Sequence, residues 1–223
     1  MILHSYYRSS AAYRVRIALN LKGLQADQVH VSLRGDAQQD PAFRTLNPQG
    51  FVPVLQVDDA TLTQSLAIIE YLEEESPRPP LLPKSAMARA RVRALAQLIA
   101  CDIHPLNNLR VLNYLNGPLA VTEEQKLAWI GHWIAQGFTA LEAMLTTSPE
   151  CGRFCHGRTP TLADVCLVPQ VFNARRFDCD LAPYPTIRRV YENSMALPAF
   201  ADAAPERQGD ADEVKNLPPD EHG

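Results

Sequence analysis

Apolar and polar positions along this chain keep three different rhythms. "MILHSY" opens as a short apolar run that reads as a buried strand. From 10 to 22 the apolar positions Ala11, Val15, Ala18 and Leu19 recur at helical spacing, and Gly23 stands where a helix takes its C′ residue. "QVHVSL" (28–33) alternates like a strand. "PAFRTLN" (41–47) has the length of one or two helical turns, and "VPVLQV" (52–57) reads as a further strand. "ATLTQ" is its hairpin partner, with Asp58 and Asp59 supplying the turn chemistry. Ser65 is expected to cap a helix striped by Ile68, Ile69 and Leu72. The order so far is βαβαββα, an α/β unit spanning 1–80.

The pattern breaks at "SPRPPLLPK" (76–84), where four prolines crowd nine residues and mark a linker. Beyond it the rhythm is helical throughout. Residues 85–116 form one long segment interrupted near Pro105. A second helix, 122–146, starts at the capping sequence "TEEQ". A third starts at "TLADV", with Thr161 as N-cap and Asp164 three residues on, and one or two short helices follow "PYPTIRRV". The expected domains are therefore 1–80 and 85–207, with a polar, disordered tail over 208–223.

Charge narrows the partners. Twenty-one Lys and Arg stand against 25 Asp and Glu, for a net charge of −4, and no long basic run offers a nucleic-acid footprint. The longest apolar stretch, "ALAQLIAC" (94–101), is too short to cross a bilayer, and "MILHSYYRSS" lacks the layout of a signal peptide. Five cysteines at irregular spacing fit a reducing compartment, so a cytoplasmic location is expected.

Candidate chemistry concentrates in a few places. In "SYYRSSAAYRVRIAL" (5–19) Ser9 and Ser10 stand in the first turn of the predicted helix beside Arg8. A capping serine is the ordinary explanation, but the second hydroxyl has no capping task. The helix end, with unpaired N–H donors and partial positive charge, would lower the pKa of a thiol placed there. No cysteine lies in the stretch, so that thiol would have to come from a cofactor. Pro53 inside a strand-like run requires an edge, a bulge or a cis turn. Gln64 and Ser65 can cap the next helix and, compatibly with that, hold a ligand carboxylate on its free N–H groups. In "DIHPLNNLRVL", His104 and Asn108 are four apart and share a helix face, with Arg110 beside them: an inter-helix hydrogen-bond network or a site. Arg175 and Arg176 suit the negative end of a helix, or form a carboxylate clamp. "GRFCHGRT" (152–159) lacks the lysine and preceding strand of a phosphate loop, and Cys151, Cys155 and His156 fit no standard metal spacing.

Together, "SSAAYRVRIALNLKG", "NPQGFVPVL", "TQSLAIIEYLEE", "DIHPLNNLRVL" and "TLADVCLVPQ" resemble, in order, the zeta class of the cytosolic glutathione transferases, over about residues 1–205. That resemblance implies a thioredoxin-like N-terminal domain, an all-α C-terminal domain, a homodimer and glutathione as cofactor. It implies a cis–trans isomerase of maleylacetoacetate or maleylpyruvate, working by reversible addition of the glutathione thiolate to the double bond. Ser9 and Ser10 would face the sulfur, while Gln49, Val52 with a cis Pro53, Gln64 and Ser65 would hold the tripeptide. His104, Asn108 and Arg110 would lie beside it, and Arg8 and Arg176 would grip the substrate's carboxylates. The chain departs from the family at Ala11, where the family has cysteine, and at Tyr13, where it commonly has Trp or His. The alternatives are a conjugating or haloacid-dehalogenating transferase and a non-catalytic binding protein on the same fold.

Overall fold

A computed structural model of the chain describes residues 1–211. These divide into two compact units, Met1–Pro80 together with the described residues from Leu197 to Ala211, and Leu81–Ala196.

The first unit is built on four short strands, β1 (Ile2–Ser5), β2 (Asp27–His30), β3 (Val54–Val57) and β4 (Ala60–Thr63), in the order β2-β1-β3-β4. β1 pairs β2 in parallel, which requires the crossover helix α1 (Ser10–Lys22), whereas β1–β3 and β3–β4 are antiparallel. Helix α2 (Pro41–Leu46) precedes β3 and α3 (Ser65–Glu75) follows β4, which gives a thioredoxin-like arrangement. Register explains the core. His4 faces Val54 across the sheet, and its ring meets Phe43 of α2 at 6.1 Å between centroids. Leu3 and Leu55, one residue along, therefore point to the other face, where α1 and α3 contribute the buried Ile17, Ala18, Ile68, Ile69 and Leu72.

The strands are shorter than the alternation predicts. β2 ends at His30 and is solvent-exposed at all four positions, as an edge strand can be. β3 begins only at Val54, because Val52-Pro53 is a cis peptide and proline has no ladder donor. Gly23, with φ +65°, closes α1 in the left-handed conformation that the sequence anticipates.

The second unit is helical: α4 (Ala86–Gln97), α5 (Leu109–Asn116), α6 (Glu123–Thr146), α7 (Leu162–Arg176) and α8 (Pro185–Met195). Between α4 and α5 the backbone widens into a π-helical segment (Leu98–Ile103) and tightens into a 3-10 turn (His104–Asn107) around Pro105. There it presses on α6, where a Cβ at Gly137 would collide with Ile103. α7 lies at the centre and buries every residue from Leu162 to Val171.

The chain then returns to the first unit at Leu197, instead of ending the helical domain at 207 as the sequence suggested. Helix α9 (Pro198–Ala201) packs on α1 and is followed by the 3-10 turn Pro205–Arg207, and Tyr13, Arg16 and Asn20 donate hydrogen bonds to the carbonyls of Phe200, Ala203 and Ala199. Residues 208–211 belong to this returning segment, with Asp210 and Ala211 buried, so the tail expected from 208 does not start there. The remainder of that expected tail, 212–223, lies outside the described residues.

Candidate functional site

Three connections converge at one end of the sheet. β1 runs out at Ser5 into the loop before α1, and β3 enters at Val54 opposite Thr63, where β4 leaves for α3. The cis Val52-Pro53 peptide thus sits across from Gln64-Ser65, and its main chain lies outside the strand pairing.

The loop before α1 is a tight turn, closed by Ser9 N–H donating to the Tyr6 carbonyl at 3.0 Å. Ser9 is the N-cap, and its Oγ accepts from the Ala12 N–H at 3.2 Å. One capping bond uses an acceptor lone pair and leaves the hydroxyl's own proton for another partner. Ser10 is the first helical residue and is buried, and the first turn of α1 contains no acidic side chain. Arg8 is half-buried, with its guanidinium 5.4 Å from the centre of the Tyr7 ring. Burial pushes the Tyr6 hydroxyl up to about 12, against the opposing charge of Arg8.

The loop before β3 is organised by Asn47, which is 3 % exposed. Its amide donates to the Phe51 carbonyl at 2.8 Å, and its oxygen accepts from Gln49 N–H at 3.1 Å. Gly50 has φ +66°, and a Cβ there would sit 2.9 Å from the Gln38 carbonyl, so glycine is needed to make the turn. The turn presents the exposed Gln49, whose oxygen accepts from the Gln64 amide at 2.7 Å.

Gln64 is itself in a positive-φ conformation (φ 67°, ψ 111°), which a non-glycine residue rarely adopts. It is the residue before α3, and Ser65 is the first helical residue, so the expectation that Ser65 caps the helix is corrected. Its hydroxyl instead accepts from the Arg14 guanidinium at 3.3 Å. Arg14, only 2 % exposed, brings a buried positive charge from α1 beneath the start of α3, whose first turn also lacks an acid. The sequence pattern alone does not single out Arg14. The signal that could have found it is its position between the apolar Tyr13 and Val15 of a helix that buries nearly all of its length.

In the second unit, the shared helix face expected for His104 and Asn108 does not exist. His104 opens the 3-10 turn, and Asn108 adopts an extended conformation (φ −72°, ψ 146°) as the N-cap of α5. Pro105 removes a helical donor between them, and the Asn108 oxygen accepts from Arg110 N–H at 3.1 Å. His104 is half-buried and Arg110 exposed. Arg176 comes from elsewhere, the last turn of α7, and is exposed with its guanidinium 4.8 Å from the centre of the Phe177 ring. Among the described residues no cluster of His, Cys, Asp or Glu could hold a metal ion, and no helix is long and apolar enough to cross a membrane.

The sequence and the fold both have close counterparts. Residues 3–80 match the family model for the glutathione S-transferase N-terminal domain. The chain is 52% identical over 213 residues to a probable maleylacetoacetate isomerase of Vibrio cholerae, covering 95% of this chain and 98% of that protein. Among solved structures, the holo form of a maleyl pyruvate isomerase, described as a bacterial zeta-class glutathione S-transferase, superposes with a TM-score of 0.93 at 50% identity, covering 95% of this chain and all (100%) of that one. The maleylacetoacetate isomerase of Methylobacterium extorquens AM1, solved with bound malonate and glutathione, gives a TM-score of 0.92 at 43% identity over 95% of this chain and 99% of that one. This chain belongs to the zeta-class glutathione transferases, among the maleylacetoacetate and maleylpyruvate isomerases.

Proposed function

We propose that the protein is a glutathione-dependent cis–trans isomerase of maleylacetoacetate or the closely similar maleylpyruvate. The observation that carries this is the convergence of Ser9, cis Pro53, Gln64 and Ser65 at one end of the sheet, on a chain half identical to enzymes with those names. The donor set suits the tripeptide. The start of α3, with the Ser65 hydroxyl, its free N–H groups and no acid in its first turn, fits the γ-glutamyl carboxylate. Gln49 and Gln64, already bonded to each other, flank it, and the main chain of Val52 is left outside the ladder for the cysteinyl backbone.

When bound, glutathione supplies a thiolate that adds reversibly to the conjugated double bond and is released unchanged. The chain's own residues favour that anion and the charge that develops on the substrate. Ser9 and Ser10 donate hydroxyl protons towards the sulfur, and the positive end of α1 lowers its pKa. Arg8 holds a substrate carboxylate and offsets developing negative charge, and Arg176 is assigned a second carboxylate by its fork of donors. His104, Asn108 and Arg110 are assigned to polar contacts with glutathione. A homodimer in the cytoplasm completes the reading.

Steady-state assays with each maleyl compound, with and without glutathione, test it. Isomerisation without net loss of thiol is expected, and stoichiometric conjugate would favour the conjugating alternative. Arg176→Ala should raise the KM for the maleyl substrate about tenfold or more, as loss of a charge-assisted carboxylate contact does. An unchanged kcat/KM would remove Arg176 from the clamp.

A further inference from the structure

The loop bearing Arg8 and Ser9 is gripped from a part of the chain that the sequence left unexplained. Tyr7, the residue before Arg8, has both main-chain polar groups bound by buried, oppositely charged side chains. Its N–H donates to Asp210 Oδ2 at 2.8 Å, and its carbonyl accepts from the Arg16 guanidinium at 2.9 Å. Arg16 and Asp210 are only 3 % and 4 % exposed. The other donors of Arg16 reach Ser5 Oγ at 3.0 Å, the Tyr6 carbonyl at 3.4 Å and, on the returning segment, the Ala203 carbonyl at 3.0 Å. Asp210 Oδ1 also faces His30 Nδ1 at 3.3 Å, at the end of β2. Burial lowers the Arg16 guanidinium to about 10, and Tyr13 and the negative charge of Asp210 oppose that shift.

We propose that Asp210 is a positioning residue for the isomerisation. Its carboxylate, held in the segment that returns from Leu197, and the Arg16 guanidinium fix the Tyr7 peptide between them and so set Arg8 and Ser9 for the reaction. A neutral, half-exposed loop contact would not need two buried ions. Hydrogen bonds to charged groups are the stronger kind, and buried ions left without partners are the costly kind, so this peptide has one favoured position. A displacement of about 1 Å in a reacting constellation lowers rate by up to about a hundredfold, so the device acts on kcat. Gln49, Val52, Gln64 and Ser65 lie on other loops, and the affinity for glutathione should follow them instead.

This inference rests on the roles proposed for Arg8 and Ser9, and its test keeps the two apart. Asp210→Ala should lower kcat with maleylpyruvate about tenfold or more, while the KM for glutathione stays within about threefold. Asp210→Asn, which keeps an oxygen for the Tyr7 N–H but not the charge, should recover kcat in part, to a value between those of Asp210→Ala and the parent. Combining Asp210→Ala with Ser9→Ala should cost less than the product of the separate losses, because both act through one loop. A kcat within twofold of the parent in Asp210→Ala, or a loss confined to glutathione KM, overturns the proposal. Should Asp210→Ala not fold, Arg16→Lys decides: it keeps the charge but cannot reach Tyr7 and Ala203 together, and an unchanged kcat rejects the grip. If Ser9→Ala and Arg8→Ala themselves keep full kcat, the assigned chemistry of the loop is wrong; if they lose it and Asp210→Ala does not, only the positioning role falls.

Discussion

Two helices of this protein start in opposite ways. α7 starts closed: Asp164, 0 % exposed, accepts from Cys155 N–H at 2.7 Å and from the Thr161 N–H and hydroxyl at 2.8 Å each. A carboxylate of the chain itself fills that positive end. α1 starts open: one serine caps it and no acid stands in its first turn. The same physics of unpaired N–H groups and helix dipole thus serves stability in one place and anion binding in the other. Whether the chain provides its own carboxylate separates the two.

The comparison breaks first at Asp164. Asp164→Ala leaves two backbone N–H groups and a hydroxyl buried without an acceptor, and should destabilise the protein by about 3 kcal/mol or more in urea unfolding. Ser9→Ala should cost only about 1 kcal/mol in the same measurement, the ordinary worth of an N-cap. Equal losses would mean that the two helix starts do not differ in kind.

In activity the ranking reverses. Ser9→Ala should lower kcat/KM about a hundredfold, the usual effect of removing one donor from a developing anion. Ala11→Cys, which restores the family's residue, should change kcat/KM by less than about threefold if the serines already suffice. A tenfold gain would show that Ser9 and Ser10 are a poor substitute for that cysteine.

The smallest effect is in the pH profile of stability. Burial raises the Asp164 carboxyl above its ordinary value, although the Cys155 and Thr161 donors pull the other way. An unfolded aspartate releases its proton near about 3.9, and the folded one at higher pH. Between those values the folded state holds the extra proton, so this residue's contribution to stability falls as pH rises. Asp164→Asn should flatten that slope in thermal unfolding measured across acidic pH.

The fold was legible where chemistry is local. The 10–22 helix with its terminal Gly23, the "TEEQ" and "TLADV" helix starts and the Asp58-Asp59 turn are set by residues within a few positions of one another. Strand ends were misread because alternation does not reveal which strand is an edge, and β2 stops where its neighbour does. Ser65 was misassigned because its partner, Arg14, is 51 positions distant. The grip of Asp210 on Tyr7 spans 203 positions, and no periodicity carries such a signal. His104 and Asn108 looked adjacent only on the assumption of a continuous helix, which Pro105 and the π-helical segment break.

The central claim is that the open start of α1 makes a reactive thiolate of bound glutathione. It is tested most directly by titrating the ultraviolet absorbance of the thiolate in the glutathione complex of the parent and of Ser9→Ala. A bound thiol that ionises clearly below the free value, and that returns towards it in Ser9→Ala, is the expected result. A bound thiol that titrates like free glutathione in both proteins would contradict the account.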